Sequence, residues 1–426
     1  MIKVITYLKT RYLKKGSFAV NVATLSTGTV ISQIIVVAVS PLLTRLYSSS
    51  DFGVYALYLA IASVVTVIAT GRYELAIVLP KADEDAAHLI LLSLIINFCV
   101  CFLFFLTVCM FHDPIVMLLG NQTISFWLYF VPLGIFLMAT YQVFNYWFNR
   151  QKMYKKMSQN RVMQSGITIA VQLGIGVLTN GINGLIVGTI IGYLITTAML
   201  IITSCKQILN YKFGLARIKS ISQHYIGHPK LLVPSHVIAS LSGQVPVFFI
   251  NSFFGTETTG FFSLASRCLS LPSSLIANAI GDVFRQRASE DYRRFGQFSH
   301  IYVKTLKSTF LISFLPFILI YLCLPFIFTA VFGAAWEKSG EYARVLIIST
   351  YFSFVLTPTD KAALIVGATR YIFWWHFFRL IANVLIALMS FKLNYEVAIY
   401  LYLLVVINIC LYIVEGIAGY KFCKGT

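Results

Sequence analysis

The chain has 426 residues, of which 58% are hydrophobic and only 11% charged. Its mean hydropathy is +0.81, whereas soluble domains carry about 25% charged residues. This is the composition of an all-α polytopic membrane protein with no room for a soluble domain. The net charge of +18 therefore does not point to nucleic acid, because basic patches on membrane loops are orientation signals.

In chain order, Met1 to Lys15 is basic and weakly amphipathic, with Ile5, Leu8 and Tyr12 on one face. The apolar stretch behind it is far longer than a signal-peptide core and lacks a small-residue cleavage site. It predicts a first transmembrane helix, not a cleaved leader. Apolar windows bounded by turn signals fall at 17–45, 52–79, 86–111, 121–147, 159–179, 182–204, 229–254, 257–281, 301–331, 342–368, 371–391 and 395–420, about twelve spans in all. A turn-rich hexapeptide, 179–184, separates the fifth from the sixth, and Pro229, Pro234 and Pro246 predict a kink near the start of the seventh.

Of the 33 Lys and Arg residues, only Lys338, Arg344 and Lys392 fall on the side opposite the N-terminus, and Arg45, Arg72, Arg267, Lys361 and Arg379 fall within spans. The other 25 lie on the N-terminal side. The positive-inside rule then predicts a multi-pass protein with both termini in the cytoplasm. Trp127, Trp147, Trp336, Trp374 and Trp375 lie near span ends and are read as interfacial aromatics. The eight cysteines show neither a disulfide framework nor, with the histidines, metal-ligand spacing, and read as small buried hydrophobes. The outer loops are too short to form a catalytic or receptor domain.

A weak internal repeat is visible. Thr29, Gln33 and Ser40 recur as Ser240, Gln244 and Asn251 at an offset of 211, and the run Asp51 to Tyr55 resembles Thr258 to Phe262 at an offset of 207. Six spans per copy restore the chain direction, so the copies are expected to be parallel repeats about an axis along the membrane normal. The predicted architecture is two six-helix bundles around a central cavity. Residues 1–204 form the first with its cytoplasmic N-tail, 205–228 a basic cytoplasmic linker, and 229–426 the second.

Arg267 lies about ten residues into an otherwise uncharged segment. That is about 15 Å deep, half of a hydrocarbon core about 30 Å thick. A cation there costs a few kcal/mol unless it faces water, protein or an anion. It shares its stripe with Ser263, Ser266, Ser270, Ser274 and Asn278; other stripes carry Ser26, Thr29, Gln33 and Ser40, then Ser240, Gln244 and Asn251, then His376, Arg379 and Asn383. Small polar residues also serve close helix packing, but packing alone does not require Arg267 and Arg379. A cavity of hydroxyls, amides and guanidinium groups suits a ligand with an anionic part and a hydroxyl-rich part. Arg45, close to the outer end of its helix, can snorkel. Arg72 is open equally to local pairing with Glu74 and to ligand contact, Asp360 and Lys361 to a gate pair or to solvation at the interface, and Glu415 is read as snorkelling inward in preference to coupling an ion.

The run Leu42 to Tyr55 (LLTRLYSSSDFGVY) resembles the first-hairpin signature of the polysaccharide-transport branch of the multidrug/oligosaccharidyl-lipid/polysaccharide exporter superfamily. Gly71 to Pro80 (GRYELAIVLP), with the acidic Asp83, Glu84 and Asp85 after it, resembles the same branch. The strong likeness covers about residues 20–90 and is greatest to Wzx-type flippases. The resemblance implies two bundles in a V around a cationic cavity in a bacterial cytoplasmic (inner) membrane. It implies alternating-access transfer of an undecaprenyl-diphosphate-linked oligosaccharide to the outer leaflet, for O-antigen or capsule synthesis, alongside other polysaccharide-assembly membrane proteins. Cavity cations hold the diphosphate-sugar head group in such proteins, which makes Arg267 the first candidate, then Arg379, with Arg45, Arg72 and Lys361 behind; Gln33, Gln244 and Asn278 complete the candidate lining. No cofactor is expected. No nucleotide-binding Gly-x-x-x-x-Gly-Lys-Ser/Thr run is present, so direct use of ATP is not expected; coupling to a proton or sodium gradient stays open, with no decisive ion site in the sequence. Two other readings are an oligosaccharide polymerase or ligase, which calls for a larger outer loop, and a drug exporter, whose cationic cargo calls for embedded carboxylates.

Overall fold

The computed structural model describes residues 18–424 except 180 and 182. The basic segment Met1 to Lys15 lies outside the described residues, as do Asn180 and Ile182 of the predicted turn between the fifth and sixth spans. The fold is all-helical, with no strand among the described residues.

The first helices are α1 (Phe18–Leu46), α2 (Ser49–Ala69), α3 (Asp83–Met110), α4 (Val131–Arg150), α5 (Tyr154–Leu178) and α6 (Asn183–Ile208). A continuous helical run, Val233–Phe295, is broken at Gly255, whose φ of 84° is non-helical. Its arms are α7 (233–254) and α8 (256–295). α9 (Ser299–Phe332), α10 (Glu337–Leu356), α11 (Thr369–Lys392) and α12 (Val397–Cys423) follow. Nine of the described helices, or ten when the bent pair Gln122–Leu128 and Val131–Arg150 is taken as one span, are long and apolar enough to cross a membrane. The expectation of about twelve counts the two arms of Val233–Phe295 separately and adds Glu337–Leu356, whose first turns are polar.

Three predicted spans depart from simple helices. The second ends at Ala69, and Gly71 and Arg72 then adopt left-handed backbone (φ 59° and 60°) before a 3₁₀ turn over Tyr73–Val78. The fourth bends by 56° between its two pieces. The tenth stops at Leu356, and Pro358 sits in a 3₁₀ turn, Thr357–Thr359.

Contacts divide the chain into two compact units. The first comprises residues up to Tyr47, 61–116 and 123–237; the second comprises 48–60, 117–122 and 238 onward. In the first unit, Gly184, Gly188 and Gly192, one per turn of α6, lie against Tyr47, Gln172 and Thr168. A stripe of small residues lets membrane helices approach this closely. The hydroxyl of Tyr47 donates to the Gln172 carbonyl at 2.6 Å. At the base of α3, Arg150 donates to Asp83 (2.7 Å) and to the carbonyls of Ile77 (3.2 Å), Pro80 (2.7 Å) and Lys81 (3.3 Å). Its side chain is only 10% exposed. The acidic run Asp83–Glu84–Asp85 opens α3, where negative charge complements the helix dipole. Asp85 also accepts from Arg217 at 2.8 Å, tying down the amphipathic helix Leu215–His224. Removing Arg150 leaves the part-buried carbonyls of Ile77 and Pro80 unpaired, at up to about 1–3 kcal/mol each. Arg150→Ala is accordingly expected to lower the thermal midpoint of the detergent-solubilised protein, read by fluorescence-detected gel filtration after heating, with Arg150→Lys intermediate. An unchanged midpoint would show that the network contributes nothing.

In the second unit the first turns of α2 and α8 cross at two glycines. A Cβ on Gly53 would collide with the Thr256 carbonyl oxygen, and one on Gly260 with that of Ser49. Ser49 and Thr256, like Gly53 and Gly260, are equivalent positions of the repeat at the offset of 207. The contact is therefore reciprocal, as a two-fold relation demands. Trp336 closes it, edge-on to Phe52 (5.1 Å) and Phe261 (5.8 Å). Asn251 belongs to this crossing as well: its amide nitrogen donates to the Leu119 carbonyl at 2.6 Å and its oxygen accepts from Asn121 at 3.3 Å.

Two sequence readings need correction. Trp127, Trp147, Trp336 and Trp375 are buried near helix ends, and only Trp374, 51% exposed, has the exposure of an interfacial anchor. The cysteines are all free, but only Cys101 and Cys423 are buried; Cys99, Cys109, Cys323 and Cys410 lie on exposed helix surfaces.

Candidate functional site

The second unit contains a polar cavity of about 380 Å³. α8 supplies Ser266, Leu269, Ser270, Ser273, Ser274 and Ala277, and α10 supplies Leu346, Ser349, Thr350, Ser353 and Phe354, with Thr357 just beyond. Both series advance by three or four residues, which keeps them on one helix face. Gly243 of α7, Arg379 of α11, and Asn408 and Tyr412 of α12 complete the lining.

The hydrogen bonds set the character of the walls. Ser274 donates to the Leu271 carbonyl at 3.0 Å, Ser349 and Thr350 to that of Leu346 at 3.0 and 2.9 Å, and Asn408 to that of Leu404 at 2.7 Å. A hydroxyl that spends its proton on its own helix keeps oxygen lone pairs for a ligand. These walls therefore accept hydrogen bonds from hydroxyl-rich ligands. Arg379 is the cation among the lining residues. Its guanidinium carbon lies 5.8 Å from the centre of the Tyr412 ring, a cation–π contact that orients it. Its Nε is buried with no hydrogen-bond partner. The arrangement offers many acceptors and one half-buried cation with a buried, unpartnered Nε, a combination suited to an anion linked to a polyol.

Beside it lies a second space of about 10 Å³, lined among others by Asp360, Glu415, Tyr371, Thr359 and Tyr302. Asp360 Oδ1 and the Tyr371 hydroxyl are buried without partners. Glu415, three residues along α12 from Tyr412, lies within electrostatic reach of Asp360, Arg379 and Lys361.

The predicted residues are distributed unevenly. Arg379 lines the cavity. Arg267 is half-buried on α8, and although its neighbours Ser266 and Ser270 face the cavity, it is not among the lining residues. Its side chain has no hydrogen-bond or ion-pair partner among the described residues. Asn278 is exposed, next to the lining residue Ala277, and Gln244 is half-buried on α7 beside Gly243. Lys361 pairs with Asp360 at 3.1 Å. In the first unit, Arg72 pairs with Glu74 at 3.2 Å, and Glu74 also accepts from Thr70. Arg45 is exposed, and Gln33 holds a buried Oε1 without a partner. The stripe on α1 serves packing in part, since Arg161 of α5 donates to Thr29. Sequence reasoning missed the α10 wall, Asn408 and Tyr412. The signal was present: Ser349, Thr350, Ser353 and Thr357 recur at helical spacing.

A family model described as "Polysaccharide biosynthesis protein" matches residues 42–341. The succinoglycan biosynthesis transport protein ExoT of Rhizobium meliloti (strain 1021) is 22% identical over 355 residues, covering 80% of this chain and 68% of ExoT. Among solved structures, the lipid II flippase MurJ in an inward closed conformation superposes with a TM-score of 0.67 at 14% identity, covering 94% of this chain and 86% of that one. An inward-facing multidrug resistance transporter of the MATE family gives 0.65 at 16% identity, covering 94% and 96%. A transporter of the same superfamily from Pyrococcus furiosus gives 0.64 at 17% identity, covering 95% and 96%.

Proposed function

Because the chain belongs to the family of polysaccharide biosynthesis proteins, we propose that it is a transporter that moves a lipid-linked oligosaccharide across a bilayer. The substrate is an undecaprenyl-diphosphate-linked oligosaccharide, taken from the cytoplasmic leaflet of a bacterial inner membrane and delivered to the outer leaflet for O-antigen or capsule synthesis. The observation that carries this reading is the acceptor-rich cavity with Arg379 as its cation. In the reading, hydroxyl walls hold sugar and Arg379 meets phosphate, while the prenyl chain stays in lipid. Opposite-sign pairing lowers the cost of taking the diphosphate through a medium of low dielectric. The likeness to ExoT and the superfamily fold support transport by alternating access. The excess of Lys and Arg in the N-terminal-side loops supports cytoplasmic termini. The sequence favours snorkelling for Glu415, but Glu415 and Asp360 line one small space, a turn of α12 from the Arg379 contact, and on that ground we place coupling to a proton or sodium gradient there.

The reading is tested in cells from which the protein has been removed. Lipid-linked oligosaccharide is expected to accumulate on the inner leaflet, protected in spheroplasts from a glycosidase added outside, and to become accessible again when the protein is restored. Accumulation of single repeat units already accessible from outside would point instead to a polymerase or ligase.

A further inference from the structure

α10 has two unlike faces. Ser349, Thr350 and Ser353 face the hydroxyl cavity, whereas Ile348 and Tyr351 face an open groove of about 180 Å³ shared with Phe314, Phe317, Ile318 and Tyr321 of α9. The groove is aromatic and built: Phe317 meets Tyr351 at 5.4 Å, and the Tyr351 hydroxyl donates to the Phe310 carbonyl at 3.2 Å. Pro316 lies between the α9 residues that line it and removes one helix hydrogen bond there.

The outer end of this groove carries a charge. Arg344 lies one turn before Ile347 and Ile348 on α10, with its guanidinium carbon 4.9 Å from the centre of the Tyr321 ring. The residue is exposed and forms no ion pair among the described residues. It is also one of only three Lys or Arg residues on the predicted outer side. Lipid tails are as apolar as any groove, so apolar burial alone selects no occupant in a membrane. A cation fixed over an aromatic ring at one end does select: it calls for an amphiphile with an anionic head and a chain that lies on ring faces.

We propose that this groove holds the polyprenyl chain of a lipid-linked diphosphate on the outer-leaflet side, with its phosphate against Arg344. The inference rests on the reading that the protein handles such a lipid. It adds where the chain lies when the head group has left the cavity on the other face of α10. Phosphate oxygens accept from the guanidinium fork, and the methyl-branched chain runs from Tyr321 towards Phe314.

The full-length protein in phosphatidylethanolamine nanodiscs is irradiated with undecaprenyl diphosphate carrying a diazirine in its chain and no sugar, and adducts are mapped by peptide mass spectrometry. Adducts are expected on 314–321 and 347–351. Arg344→Gln and Ile348→Trp are each expected to reduce them roughly tenfold, and excess phosphatidylglycerol is expected not to displace the probe. Displacement by phosphatidylglycerol would mean an anionic phospholipid site, and adducts elsewhere or unchanged labelling in Arg344→Gln would mean ordinary boundary lipid; each overturns the proposal. Arg344 is exposed, so its variant remains informative if Ile348→Trp fails to fold. Because the probe carries no sugar and the readout is an adduct, labelling without oligosaccharide transport would reject the function and keep the groove. Transport without labelling would do the reverse.

Discussion

Arg379→Ala is expected to weaken binding of an undecaprenyl-diphosphate-linked oligosaccharide by roughly 10- to 100-fold, the range for losing hydrogen bonds to a charged group at about 1.5–3 kcal/mol. The expectation follows from three features. Arg379 is the cation among the residues lining the cavity, its Nε is buried and unpartnered, and its guanidinium lies 5.8 Å from the centre of the Tyr412 ring. A guanidinium with a free buried N–H, resting on a ring, binds an anion with less reorganisation than a fully mobile one. Arg379→Lys keeps the charge but loses the planar fork, so it is expected to recover only part of the loss. Arg267→Ala is expected to do much less, because its guanidinium is not part of the lining. Binding of a tritiated lipid-linked oligosaccharide to the purified protein measures all three. A larger loss in Arg267→Ala than in Arg379→Ala would return the first place to Arg267.

Gly53→Leu and Gly260→Leu are each expected to abolish recovery of monodisperse protein, and the alanine variants to lower the thermal midpoint. At both positions the first added carbon meets a backbone oxygen, and backbone has no rotamer by which to retreat. Overpacking a well-packed contact costs about 1–3 kcal/mol and sometimes more, and here both helices are held by further contacts, including the ring of Trp336. The reciprocal geometry predicts similar losses at the two sites. A wild-type gel-filtration profile for either leucine variant would show that α2 and α8 do not cross as described.

The helices were legible because lipid imposes a simple rule, long apolar runs broken by Gly, Pro and charge. Ser299–Phe332 and Thr369–Lys392 lie within two residues of the windows read from the sequence. The errors arose where local backbone or packing decides. Nothing in the hydropathy of 52–79 reveals that Gly71 and Arg72 turn left-handed and end the helix early. Tryptophans near span ends look interfacial until their neighbours are known, and Trp336 proves to be buried between two phenylalanine rings. The repeat was legible as paired motifs, but the Gly53 and Gly260 contact that makes it physical was not. In the site, the polar stripe of α8 was readable from helical spacing, and its depth drew attention to Arg267. A stripe has two edges, and the side chain's final direction follows from neighbouring helices. Asp360 and Glu415 were each visible as embedded charges, but not their meeting: they are 55 residues apart in sequence and α12 brings them to one small space.

The central claim is that the hydroxyl-lined, singly cationic cavity serves an anionic glycolipid. Its most direct test is transport in proteoliposomes containing the purified full-length protein, with an undecaprenyl-diphosphate-linked oligosaccharide fluorescent at its terminal sugar, an external quencher, and an imposed proton or sodium gradient. The account predicts protein-dependent, gradient-stimulated exposure of the fluorophore that Arg379→Ala abolishes and that organic cations do not inhibit. Uptake of an organic cation, with no movement of the glycolipid, would contradict it.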